Sequence, residues 1–129
     1  MGAFDMLHIA GSGLNVHQTW LDELSHNIAN ANTVRSTDGP AFQAQYLMVD
    51  SEATGGVRVS GTALGDPEGR LVHDPGHPLA DEDGYVRMPD IDMASQMSQL
   101  VMAQRGFQAQ AAVIKNAQDV YSAALTIGR

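Results

Sequence analysis

Cysteine is absent from the 129 residues, which excludes a disulfide framework and any thiolate metal site. Aromatic residues amount to only 5%, so few large rigid rings are available and the core should be thin and aliphatic. Nowhere do eighteen apolar residues follow one another, so no membrane insertion is expected. The opening stretch MGAFDMLHIAGSG has neither a basic n-region nor a long apolar run, and a cleaved signal is not expected either. Basic residues are few as well: Arg35, Arg58, Arg70, Arg87, Arg105, Lys115 and Arg129 stand singly in a chain of net charge −8. A nucleic-acid surface needs clustered positive charge, so that class of partner is excluded.

What the sequence does contain is unevenly distributed. A chain of this length supports one modest core and no second independent domain. Eleven of the fifteen acids fall between Val34 and Asp92. The middle is therefore acidic, while the nearly neutral ends can touch other chains without strong repulsion. Apolar residues recur with a helical period at both ends and in a strand-like or irregular way between them. This predicts a mainly α fold with a small β insert: an N-terminal helix over 1–33, an acidic insert of short β-hairpins and loops over 34–89, and a C-terminal helix over 90–129.

Leu7, Leu14, Leu21 and Ile28 recur every seven residues, with Ala3, Ala10, His17, Leu24 and Ala31 as companions. Met93, Leu100, Phe107, Ile114 and Tyr121 do the same at the other end, flanked by Met97, Ala103, Ala111, Ala117, Ala124 and Leu125. Such stripes predict two helices paired as an antiparallel coiled-coil-like hairpin. Asp90 and Asp92 after Pro89 are natural N-caps, and Gly128 with Arg129 is a stop whose charge suits the helix dipole. Gly11 and Gly13 each cost about 1 kcal/mol inside a helix, so a bend or fraying is expected there. The first helix should end near Asn30 to Thr33, before a loop of Ser36, Thr37, Asp38, Gly39 and Pro40.

In the insert, Phe42, Ala44, Tyr46 and Met48 alternate with polar residues, as do Val57 and Val59, which is the pattern of half-buried strands. Leu71 to His73 and Tyr85 to Met88 are further short candidates, punctuated by glycines and prolines that favour hairpins over an extended sheet. The helical seam is thinned by its alanines and His17. A second partial stripe of Ile9, Val16, Trp20 and Val101 exceeds what a two-helix pair can bury. Further packing partners are therefore expected, with the termini becoming fully rigid when those partners cover them.

The string LDELSHNIANANT (Leu21 to Thr33) resembles the N-terminal signature of flagellar rod, hook and hook-associated axial proteins. Asn27, Asn30 and Asn32 read physically as polar helix-end residues able to cap and turn. The run PGHPLADEDGYVRMPDIDM (Pro75 to Met93), with Pro78, Gly84, Tyr85 and Pro89, is similar to the corresponding segment of the FlgC family of proximal-rod proteins. So is AQRGFQAQAAVIKNAQDVYSAALTIG (Ala103 to Gly128), with its Arg105, Phe107, Gln108, Ala109 order. Phe107 stands where that family commonly has Tyr, Gln110 and Asp90 where Asn is usual, and Val34 to Val72 matches loosely.

The resemblance implies a structural subunit of the basal-body rod, the hollow torque-transmitting shaft, with the terminal helices of many copies packed into a tube. It implies copies of itself and other rod subunits as partners, with basal-body ring and hook-side axial proteins beyond them. It also implies export by the flagellar type III apparatus to the periplasmic or cell-wall-spanning basal body. The residues expected to carry assembly are Leu7, Leu14, Leu21, Leu24, Ile28, Leu100, Phe107, Ile114, Tyr121 and Leu125; a plain intramolecular core is the alternative reading for each.

No catalytic residue, cofactor site or metal site is assigned. His73, Asp74, His77, Asp81, Glu82 and Asp83 are metal-ligand types in one loop, but their spacing fits no zinc motif. With Gly84 as the sixth position of an EF-hand loop, Leu79 and Asp90 would occupy the first and twelfth, so the required ligands are missing. Gly11, Ser12 and Gly13 follow no strand, which argues against a phosphate loop. His8, His17 and His26 fall on different helix faces and read as surface or interface residues. The competing functions are a coiled-coil adaptor of a secretion system and, more remotely, a small metal-dependent hydrolase using the His73 to Asp83 loop.

Overall fold

The computed structural model describes residues 2–128. Met1 and Arg129, with the helix-end charge expected of Arg129, lie outside the described residues, as does the side chain of Ala3. The elements follow in the order α1 (Ala3–Ala29), β1 (Gln45–Ser51), β2 (Val57–Leu64), β3 (Arg70–His73), β4 (Tyr85–Met88) and α2 (Met93–Ile127). Two long helices at the ends enclose two small hairpins, as the change of apolar period predicts.

Each helix starts where a carboxylate can receive the free amides of its first turn. Asp5 accepts from the Gly2 N–H at 3.0 Å in α1, and Asp92, the N-cap of α2, accepts from the Ala94 N–H at 3.3 Å. At 1.5 Å per residue, the 35 residues of α2 extend about 50 Å. The helices pair antiparallel in one constant register: Asn27 lies opposite Gln96, His17 opposite Gly106 and Gly13 opposite Gln110. Near the far end, the rings of Phe4 and Tyr121 are 5.6 Å apart in an edge contact.

The expected bend at Gly11 and Gly13 does not occur; α1 is continuous through both. Packing explains Gly13, because a Cβ there would lie 2.6 Å from Nε2 of Gln110. The reciprocal seat is Gly106, where a Cβ would run into the His17 ring. Each helix thus lays a long polar side chain over a glycine of the other, and the backbones approach closely. No such contact surrounds Gly11, whose missing Cβ faces open space for 4 Å.

The centre of the seam also differs from expectation. Ala10 and Leu24 of one heptad row of α1, and Ala31 just past its end, are buried, as are Gln96, Ala103 and Ala117 of α2. Leu7, Leu14, Leu21, Ile28, Leu100, Phe107 and Ile114 are half-buried beside it, and Tyr121 and Leu125 are exposed. Small residues hold the middle because the helices come too near for two opposed rows of leucine.

β1 pairs antiparallel with β2, and β3 with β4. The first hairpin turns through Gly55 and Gly56 at φ +92° and +96°, a region glycine enters without steric cost. Its tip rests on α1: a Cβ on Gly56 would meet the Ser12 side chain and one on Gly55 the Ile9 side chain. Val16 is buried and Trp20 half-buried, and both line a cleft with Leu47 and Val49 of β1. Part of the second apolar stripe is therefore covered within the chain, by the hairpin instead of a partner; Val101 stays exposed.

The alternation of β1 runs opposite to expectation. Tyr46 and Met48 are exposed, while Gln45 and Leu47 are half-buried. Leu47 lies across from Thr62, which donates to Glu23 of α1 at 2.5 Å, so this is the face turned to the helix. A register shift between Met48 and Val49 then lets Val57 and Val59, of opposite parity to Thr62, line the α1 side as well, as a β-bulge does. Phe42 and Ala44 precede the strand; Ala44 is buried and Phe42 lies 5.3 Å from the His26 ring.

Candidate assembly surface

The joint between helix pair and insert is built on Asn27, which is fully buried. Its Oδ1 accepts the Gln45 N–H at 2.8 Å, and its Nδ2 donates to the Gln45 carbonyl at 2.8 Å and to Gln96 Oε1 at 3.1 Å. One amide thus ties α1, β1 and α2 together with its polar groups satisfied, the condition under which a buried polar network specifies one arrangement. This corrects the reading of Asn27 as a helix-end cap. Asn30 does act at the helix end: its Nδ2 donates to the His26 carbonyl at 2.9 Å, and its Oδ1 accepts from Thr33 Oγ1 at 3.1 Å. Asn32 is exposed. Gln45, Gln96, Glu23 and Thr62 were not singled out from the sequence, and Asn27 falls outside both heptad rows read on the first helix, so no heptad signal marked the joint.

The second hairpin is fastened by two side chains. Asp81 accepts from the Tyr85 N–H at 2.8 Å, the Asp83 N–H at 3.0 Å and Thr37 Oγ1 at 2.9 Å. These bonds, the Tyr85 amide first, hold its carboxyl below the usual aspartate range. Arg87 reaches the Glu68 carbonyl and carboxylate at 2.6 and 2.9 Å and the Thr37 carbonyl at 3.3 Å. Gly84 sits at φ +83° with Pro75 and His73 where a Cβ would go. Pro89 is fully buried, Tyr85 stacks edge-on to His73 at 5.0 Å, and Pro78 is exposed. Asp81 spends its oxygens on the turn, and His77 Nδ1 accepts from the Leu79 N–H at 3.0 Å. Among the described residues, no three His, Asp or Glu side chains converge as a metal set.

Beyond these joints lies a large uncovered surface. Of the 35 residues of α2, the buried ones are Gln96, Ala103 and Ala117. Met97, Val101, Met102, Val113, Val120, Leu125 and Ile127 are exposed, the last to 84%, and Arg105 stands exposed on the same helix. Among the residues assigned to assembly, Tyr121 and Leu125 lie on this free surface. Leu24, at 2% exposure, is instead a core residue of the single chain, because α2 and the first hairpin close over it.

Along its whole length the chain is 34% identical to the flagellar basal-body rod protein FlgC of Salmonella typhimurium (strain LT2), with all of both chains covered. The chain belongs to the FlgC family. A FlgC relative in Yersinia enterocolitica is 36% identical with both chains covered in full, and one in Borreliella burgdorferi is 28% identical across 98% of each. The family described as Flagellar basal body rod FlgEFG protein C-terminal matches residues 82–127. In this FlgC chain, that stretch runs from the Asp81 turn through β4 to the end of α2, and so contains the uncovered helix.

Proposed function

We propose that the chain is a structural subunit of the flagellar basal-body rod, built into the shaft by packing its terminal helices against neighbouring subunits. It is a component of the flagellar basal body, and among the described residues no helix is long and apolar enough to cross a membrane. The observation that carries the mechanism is one face of α2, where Met102, Val113, Val120 and Ile127, spaced to share one side of the helix, are 43% to 84% exposed. Apolar surface of this extent marks an association site. Copies of the chain and other rod subunits supply the cover, with ring and hook-side axial proteins at the margins of the shaft. Torque then passes as compression and shear between packed helices, and chemistry plays no part.

Deleting residues 120–129 is expected to abolish incorporation into basal bodies and motility, while substitution of His73 and His77 together leaves motility intact. Basal bodies that still contain the truncated chain would overturn the packing role. Circular dichroism of the dilute free chain bears on the same reading: helix content should rise as neighbours are supplied. A dilute free chain that already shows the helix content of all of α1 and α2 would contradict ordering on assembly.

A further inference from the structure

We propose that the open border of β1 takes up a short extended segment of a different protein, paired to Leu47 and Val49 as an added strand, with its apolar side chains in the cleft beside Trp20. The contact is independent of the helix packing proposed above. Gln45 gives both its N–H and its C=O to the Asn27 amide, so at this residue the backbone groups point away from β2. Strand geometry repeats every second residue, and the bulge leaves Ser60 of β2 as the extra residue, so the parity of β1 is unbroken. Leu47 and Val49 therefore turn their N–H and C=O groups the same way, and nothing among the described residues bonds them. The border of β2 starts alike, with the Val57 N–H donated to Ser12 Oγ at 3.1 Å. On each border α1 satisfies one end and leaves the rest open.

The occupant follows from this backbone row and the cleft beside it. A helix bonds its own N–H and C=O groups internally and cannot complete a strand border, whereas an extended peptide presents the matching row. The cleft measures about 380 Å³ and joins Val16, Trp20 and Leu24 of α1 to Leu47 and Val49 of β1 and Gln99 of α2. No Asp, Glu, Lys or Arg lines it. The side chains that enter are therefore uncharged and apolar, since a carboxylate or ammonium group would lose water there without gaining a partner. The half-buried Trp20 offers them a broad apolar face. With Asn27 on the first rung and the strand ending at Ser51, the open rungs at Leu47 and Val49 suit a segment of about five residues. Self-stacking strands need about six or seven, and two copies would bring chains of net charge −8 together along their acidic inserts. A different protein, contributing one short apolar strand, meets neither obstacle.

The test titrates the dilute, isotope-labelled full chain with the peptide acetyl-Thr-Leu-Thr-Val-Thr-amide and follows its amide resonances. The Leu47 and Val49 amides and the Trp20 indole N–H should shift together, with a Kd of about 1 mM or below. N-methylation of the leucine and valine amides of the peptide should weaken binding at least about tenfold, because the rungs then lose their donors. Aspartate in place of the peptide's leucine should do the same. In the chain, Leu47→Pro removes an outward N–H while sparing the bonds from Tyr46 and Met48 to β2, and should abolish the shift at Val49 with the β1–β2 ladder intact. If that variant unfolds, the N-methylated peptide alone decides. Absence of shifts at Leu47 and Val49, or equal affinity for the N-methylated peptide, overturns the proposal. Shifts at these amides that appear on raising the concentration of the chain without peptide assign the border to a second copy and also overturn it.

Discussion

The two ends of the helix pair carry the same seven-residue pattern and meet different fates. Beside the insert, Leu24, Asn27, Ala31, Gln96 and Ala103 are all buried, and β1 is bonded directly to the helix through Gln45. At the other end, Met6, Val113, Asn116, Ala117 and Val120 surround an open apolar groove of about 290 Å³, and most of the large side chains face outward. The pattern reports which side of a helix is apolar; what lies over that side depends on elements from elsewhere in the chain or outside it. One end is a finished core and the other a core with its outer layer missing.

Breaking the finished end should have the largest effect on the single chain. Asn27→Ala strands the Gln45 and Gln96 groups in a dry joint and should cost about 3 kcal/mol, read as a lower urea midpoint with an unchanged slope. Gly106→Ala drives a methyl into the His17 ring and should cost about 1 to 2 kcal/mol in spite of its better helix propensity. Gly11→Ala, with nothing to strike, should have the opposite sign and gain about 0.5 to 1 kcal/mol. At the unfinished end, Ile127→Ser should change chain stability by less than about 0.5 kcal/mol while lowering incorporation into basal bodies. Equal stability losses for Asn27→Ala and Ile127→Ser in urea titrations would erase the distinction between the ends.

The smallest effect is expected at Asp81. Its folded-state pKa lies below the ordinary value of 3.8, so its contribution is fully present above the unfolded value and is lost as pH falls through the folded one. The β3–β4 hairpin should loosen below about pH 4, and Asp81→Asn should flatten that dependence in hydrogen exchange of the Tyr85 amide. An identical acid profile in the variant would remove Asp81 from the account.

Helix positions, antiparallel pairing and the two hairpins were legible because each leaves a local trace: a heptad, an aspartate after a proline, glycines between β-rich runs. Three features left no such trace. The large leucines mark the seam in the sequence, but alanine and glycine hold its centre, since backbone separation is set by both helices at once. The outward turn of Tyr46 and Met48 follows from the Asn27 anchor on Gln45, since a one-residue change of register reverses a whole strand. Gly11 and Gly13 look alike in the sequence and differ only in whether Gln110 arrives. The free surface of α2 was half visible, as an excess of apolar residues over what one partner helix can cover.

The Asn27 amide has one more effect. By engaging both the N–H and the C=O of Gln45, it occupies the first rung of the open border of β1, where an incoming extended peptide would begin to template. An unguarded strand border beside exposed Tyr46 and Met48 would invite amyloid-like stacking while the chain is crowded among its own kind. A single buried side chain thus leaves lateral growth to the helices and closes one route to misassembly.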